Sequence, residues 1–240
     1  PQSPLAATQE FFWRVTALNN CGQGTTSATS SFTTVEPGSC PVGTAPIVVF
    51  ADDVEGGVNG WTTPASDLGG NTWTQQTDQF ESPTTAWFAE DPETQSDQFL
   101  VSPTITVPPE TQSPVTLAFW NFQNMESNNG TGTDACWDGG LLEVSTDAGG
   151  SWQQVPDSAL LTDPYNGTIT DNPDSPISGR LAWCADADNQ PDSGEQEVVS
   201  VVDLASWAGQ TVNFRYRLGS DAAVGREGWY IDDISVQGCQ

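Results

Sequence analysis

The chain has no lysine and no histidine, and its only basic residues are five arginines, Arg14, Arg180, Arg215, Arg217 and Arg226. Each absence removes a class of chemistry. A Ser-His-Asp triad, a Cys-His pair, a histidine-ligated zinc site and a Schiff-base lysine all need residues that are missing. A phosphate-binding loop lacks its lysine. Against the five arginines stand 32 Asp and Glu, giving a net charge of −27. Such a surface repels phosphate, so neither nucleic acid nor an anionic membrane surface is an expected partner. No apolar run approaches the roughly 18 residues of a membrane helix, so no membrane insertion is expected.

What remains is polar, aromatic and rich in turns. Hydrophobic residues make up only 36% of the 240, but ten Trp and ten Phe bury large areas each. Five cysteines, Cys21, Cys40, Cys136, Cys184 and Cys239, are scattered with no CxxC pair, which argues against zinc ribbons and for disulfides in an extracellular, secreted or cell-surface setting. No signal peptide opens the chain and Pro1 begins in mid-module, so a processed or partial chain is expected. Asn129 and Asn166 head N-x-Thr triplets, which equally read as turn chemistry.

Period-two alternation dominates. Phe11–Leu18, Ala28–Thr33, Ile47–Phe50, Thr72–Thr74, Thr85–Phe88, Asp97–Val101, Pro114–Asn121, Leu141–Ser145, Trp152–Val155, Val198–Val202, Val212–Leu218 and Trp229–Val236 all read as short strands. Only Val202–Gly209 suggests a turn of helix. The stretch Glu36–Gly43, with two Pro and two Gly, reads as a linker. The expectation is an all-β chain: a strand pair over 1–35, a linker over 36–43, and a jelly-roll β-sandwich over 44–240.

Two resemblances carry this further. The segment FFWRVTALNNCGQG…SFTT, through Trp13, Arg14, Val15, Ala17, Asn19, Gly22, Phe32 and Thr33, resembles the last two strands of a fibronectin type III module. The remainder resembles the MAM-like, immune-inhibitor-A-type jelly-roll modules of bacterial secreted proteins. The motifs that carry this are FADDVEGGVNGW (Phe50–Trp61), AWFAEDPETQSDQFLVSP (Ala86–Pro103), DGGLLEVSTDAGGSW (Asp138–Trp152), YNGTIT (Tyr165–Thr170), SGRLAW (Ser178–Trp183) and GWYIDDISV (Gly228–Val236). This second resemblance implies a non-catalytic, calcium-stabilised accessory module. Cys136 and Cys184 depart from it, and the departure implies an added bridge.

Candidate sites follow. Asp52, Asp53 and Glu55 end the first jelly-roll strand and Asp232 and Asp233 lie in the last. Were those strands paired, the carboxylates would converge, with Asp97 able to join. An all-oxygen set without histidine or thiol favours calcium, expected on Asp53, Glu55 and Asp233 with Asp52, Asp97 and Asp232 in reserve. The competing reading is turn caps and solvated surface. The stretch Ser145–Trp152 has the S-x-D-x-G-x-x-W form of an Asp-box, a structural turn. Trp61, Trp73, Trp120 and Trp137 are candidate sugar platforms, or else core filler. Paired carboxylates leave glycoside hydrolysis as the one common hydrolytic chemistry the composition allows, but no segment sets an acid in an apolar pocket. Cys136 is expected to pair with Cys184. Cys40 is expected to pair with Cys239 if the terminal strands are neighbours, with Cys21–Cys40 as the competitor.

Two functions fit. One is a module for adhesion or for glycan or surface binding, attached to other domains of the same secreted protein. The other is a structural subunit of an extracellular filament or surface array, in which identical subunits cover exposed edges by β-strand addition.

Overall fold

Strict alternation in TVNFRYRLGS sends Val212, Phe214, Tyr216 and Leu218 to one face, and all four are buried. The same rule builds the rest of a computed structural model that describes residues 8–19, 22–127, 135–171, 174–184 and 198–240. Cys21 and Asn129 lie outside the described residues. The chain divides into two compact units, Pro1–Ser39 and Cys40–Gln240.

The first unit contains β1 (Glu10–Trp13), β2 (Thr16–Asn19), β3 (Gly22–Thr26) and β4 (Ser30–Thr33). β1 pairs antiparallel with β4, and β2 with β3. The strand expected over Phe11–Leu18 is therefore interrupted at Arg14 and Val15, where Ser27 Oγ accepts from the Val15 N–H instead of a continuous ladder forming. Phe11 stacks on Phe32 across the pair.

The second unit runs β5 (Pro46–Asp52), β6 (Thr74–Gln76), β7 (Ala86–Asp91), β8 (Ser96–Val101), β9 (Ile105–Thr106), β10 (Thr116–Asn124), β11 (Ala135–Cys136), β12 (Gly139–Ser145), β13 (Gln153–Gln154), β14 (Gly167–Ile169), β15 (Leu181–Ala182), β16 (Val198–Asp203), β17 (Thr211–Ser220) and β18 (Arg226–Cys239). The sequence Val202–Gly209 makes a single 3-10 turn, Ala205–Trp207. One sheet has the order β16-β10-β18-β7-β6, with β5 also on β18; the facing sheet runs β13-β12-β17-β8, with β9 on β17. A small third sheet joins β11, β14 and β15.

First and last strands of the sandwich pair antiparallel, Ile234 opposite Asp52 and Val236 opposite Phe50. Pro46 lies opposite Cys239, and Cys40 is bonded to Cys239, Cα atoms 5.6 Å apart. Cys136 is bonded to Cys184, Cα atoms 6.3 Å apart.

Aromatic rings fill the core between the sheets. Tyr216 of one sheet meets Phe119 and Trp229 of the other at 5.1 and 5.8 Å, and Trp229 continues to Trp73 and Trp183 at 5.6 and 5.9 Å. Alternation in β7 and β10 places a second cluster on the opposite face, where Trp120, Phe122 and Tyr230 are buried with Ala86. Gly140 is required by this packing: a Cβ there would lie 2.6 Å from the Trp229 ring.

Candidate ligand cleft and acidic centre

The six carboxylates expected to hold calcium do not form one cluster. Asp97 is a correction: both its oxygens pair with Arg217, Oδ1 with Nε at 2.7 Å and Oδ2 with Nη2 at 2.9 Å. Asp52 does approach the Asp232–Asp233 pair through the β5–β18 ladder, yet protein donors meet these oxygens. Asp52 Oδ1 accepts from Val54 N–H and Asn59 Nδ2, and its Oδ2 from the Trp61 indole at 2.6 Å. Asp232 Oδ2 accepts from the N–H groups of Glu81 and Ser82, and Asp233 Oδ1 from Ser82 Oγ. Glu55 accepts from Thr84 through both oxygens, and Asp53 from Glu55 N–H. These carboxylates pin loops to the terminal strands with N–H and O–H groups, the role expected of a cation. No three of them have oxygens mutually within 4.8 Å.

Among the described residues, the acidic group that does reach that spacing is Glu126, Asp138 and Asp221. Its members come from one end of the sandwich: Glu126 follows β10, Asp138 precedes β12 and Asp221 follows β17. Asp91, the last residue of β7, faces them, its carboxyl within hydrogen-bond range of that of Asp138. Asp91 Oδ2 accepts from the N–H groups of Glu126 and Arg226, each at 3.2 Å; Asp138 Oδ1 accepts from Asp221 N–H at 2.6 Å. Gly225 permits the approach, since a side chain there would run into the backbone of Asp91–Glu93. Burial pushes Asp91 up to about 7. Burial and then the charge of Asp91 push Asp138 up to about 10, and burial and Asp221 raise Glu126. The sequence reading missed this group because its residues sit on four separate strand ends, which only the topology joins.

The Asp-box is built as its residues imply. Ser145 Oγ donates to Asp147 Oδ1 at 2.7 Å and accepts from Gly149 N–H at 2.8 Å; Ser151 donates through N–H and Oγ to Asp147; Gly149 has φ +87°. Trp152 then lies under the Arg215 guanidinium, 4.4 Å from ring centre. Asn166 is equally structural: its amide donates to Cys184 C=O and accepts from Cys184 N–H.

Trp61, Trp73 and Trp120 are not flat surface platforms, being 4%, 4% and 2% exposed. Alternation predicts which face a ring takes but not whether that face is covered, and here loops and the second cluster cover them. Trp137 alone of the four is half-buried. Trp61 and Trp73 nevertheless join Trp87, which sequence reasoning did not single out, in the wall of an open cavity of about 450 Å³ completed by Val58, Thr63, Thr74 and Gln75. The Trp73 and Trp87 indole N–H groups have no acceptor within the protein. Gln75 closes the floor by donating to Val54 and Gly57 carbonyls.

No family model and no curated protein matches the chain. Solved structures with similarity include a cleaved adhesin domain of Lys-gingipain from Porphyromonas gingivalis, 17% identical over 80% of this chain and 99% of that one, with a TM-score of 0.45. A structure described as carbohydrate-binding modules of the β-sandwich superfamily is 10% identical over 95% and 74%, TM-score 0.38. A second cleaved adhesin domain of Lys-gingipain is 15% identical over 83% and 90%, TM-score 0.33.

Proposed function

We propose that the chain is a non-catalytic, extracellular β-sandwich module of a secreted or surface protein that binds glycan in the cleft walled by Trp61, Trp73 and Trp87. The observation that carries this reading is the cleft itself: three tryptophans beside the hydroxyl and amide groups of Thr63, Thr74 and Gln75, in a concave wall whose exposed surface is mainly polar. Aromatic surface packs on the C–H face of a sugar while hydroxyls and amides meet its oxygens. The two disulfides suit an oxidising exterior. Glycoside hydrolysis is disfavoured, because the Asp91 and Asp138 carboxyls touch one another and are buried to 1% or less, whereas a glycosidase pair stands about 5 Å or more apart across an open cleft.

A glycan array on the whole chain tests the reading, followed by calorimetry on Thr63→Arg and Thr74→Arg. Both residues are exposed on the rim, so filling the cleft should leave the melting temperature within a few degrees and weaken binding at least about tenfold. An array with no hits, or equal binding by both variants, refutes it.

A second reading, assembly of identical subunits, is favoured by the first unit. Its hairpin exposes Phe12, Trp13, Val15, Leu18 and Phe32. Sedimentation and negative-stain microscopy separate the two: isolated monomers oppose assembly, repeating fibres support it.

A further inference from the structure

We propose that Glu126, Asp138 and Asp221 form a binding site for one calcium-class divalent cation, with Asp91 buttressing Asp138 from behind. The site lies at the end of the sandwich where β7, β10 and β17 finish and β12 and β18 begin, apart from the terminal-strand carboxylates and from the tryptophan cleft.

Spacing is the first argument. One oxygen from each of the three residues lies within 4.8 Å of the others. Calcium holds its oxygens at 2.3–2.6 Å, so two ligands on opposite sides of the ion are about 5 Å apart. The three carboxylates therefore already stand at the separation one such ion imposes. Every donor is a hard oxygen, and no thiolate or imidazole is near, which selects calcium or magnesium over zinc or copper.

Unsatisfied oxygens are the second, independent argument. Asp91 is 1% exposed and Asp138 0%. Asp91 Oδ1 and Asp138 Oδ2 are both buried without any hydrogen-bond donor. Buried polar atoms in native structures almost always have a partner, and a carboxylate oxygen with none needs a proton or a cation. Three N–H donors hold the other oxygens of these two residues.

Charge balance is the third. Four carboxyl groups meet at this end of the fold, and the one guanidinium acting on Glu126 belongs to Arg226. A cation among them turns the mutual repulsion of these carboxyl groups into ligation. The cation would tie together three strand ends that hydrogen bonds of the ladder leave behind, and the loop entering β18 with them.

The test is calorimetric titration of the chelator-treated whole chain with calcium chloride, with thermal melts alongside. Wild type should bind one equivalent at this site, and calcium at about a hundredfold excess over Kd should raise the melting temperature by about 5–10 °C. Glu126→Gln and Asp221→Asn should weaken binding at least about tenfold and abolish the rise. Asp53→Asn with Asp233→Asn should leave both intact. Asp138→Asn is the control for folding: in chelator its amide supplies a donor to Asp91 Oδ1, so it should melt at or above chelator-treated wild type while failing to respond to calcium. Terbium luminescence, sensitised by the neighbouring Trp137, should follow the same pattern. The proposal is overturned by a wild type that binds no calcium. It is also overturned by Glu126→Gln and Asp221→Asn proteins that bind as wild type does, by loss of binding in the Asp53/Asp233 control, or by a response to magnesium and not to calcium.

Discussion

Arg217 grips Asp97 with two parallel hydrogen bonds, Nε to Oδ1 at 2.7 Å and Nη2 to Oδ2 at 2.9 Å. The same guanidinium reaches Glu143, which also pairs with Arg180 at 2.8 Å and with Arg215. Three of the chain's five basic residues are thus spent on the outer face of one sheet, across β8, β17 and β12. Arg215 is further covered by Phe99 and Trp152, its guanidinium 4.7 and 4.4 Å from their ring centres. Glu143 is almost fully buried, so its charge depends on these partners.

Removing Arg217 should therefore cost more than an ordinary surface ion pair. Arg217→Ala is expected to lower stability by about 2–4 kcal/mol, since it strands Asp97 and part of the charge on Glu143. Arg217→Lys should recover less than half, because an ammonium cannot make the two-bond fork. Urea melts of the three proteins check this; equal stability of the lysine variant and wild type would contradict it.

Cys40 and Cys239 close a span of 199 residues. In the chain-entropy model so long a loop contributes about 5 kcal/mol, so Cys40→Ser with Cys239→Ser should be strongly destabilised. Peptide mapping without reduction should recover Cys40 with Cys239 and Cys136 with Cys184. A Cys21–Cys40 peptide would contradict the pairing that closes the sandwich.

Stability should peak on the acid side of neutral. Burial pushes Asp232 up to about 6, so the folded state holds that proton more tightly than the unfolded chain does, and stability falls as pH rises from about 4 through 6. Hydrogen bonds from Ser145 and Ser151 hold Asp147 down at about 2, so its contribution is present above about 4 and lost as pH falls toward 2. Burial alone would raise Glu143, but Arg215 and Arg180 more than offset it and hold the carboxyl low, which adds to the acid-side loss. Relief of the −27 charge on mild acidification works in the same direction as Asp232. Melting temperatures in chelator should therefore be highest near about pH 4–5. A maximum at or above pH 7 would contradict this balance.

Gly140→Ala should destabilise by about 1–3 kcal/mol, since the new methyl meets the Trp229 ring at the centre of the core. Thermal melts check this against Gly70→Ala, where nothing lies within 4 Å of the added atom and little change is expected.

The sequence was most informative where one residue's neighbours in the chain decide its fate. Val212, Phe214, Tyr216 and Leu218 alternate and are buried together. Ser145, Asp147 and Gly149 complete a turn within five residues. Pairing of the first and last strands was also readable, as a consequence of the jelly-roll expectation. Long-range convergence was not. Asp91, Glu126, Asp138 and Asp221 come from four strand ends, and nothing local marks them as neighbours. Trp61 and Trp73 stood out as aromatics, but only the loops packed over them decide that they wall a cleft instead of lying flat on the surface. Asp97 was drawn toward calcium by its acidity, while its partner Arg217 lies 120 residues away.

The claim that this is a ligand-binding module working through its tryptophan cleft is tested most directly by indole N–H chemical-shift mapping. A uniformly ¹⁵N-labelled chain is titrated with whichever glycan the array selects, and the ten indole signals are followed. Saturable shifts of Trp61, Trp73 and Trp87 are expected, with Trp152 and Trp207 unmoved. Shifts confined to other tryptophans, Trp137 included, with the three cleft indoles unchanged at saturation, would contradict it.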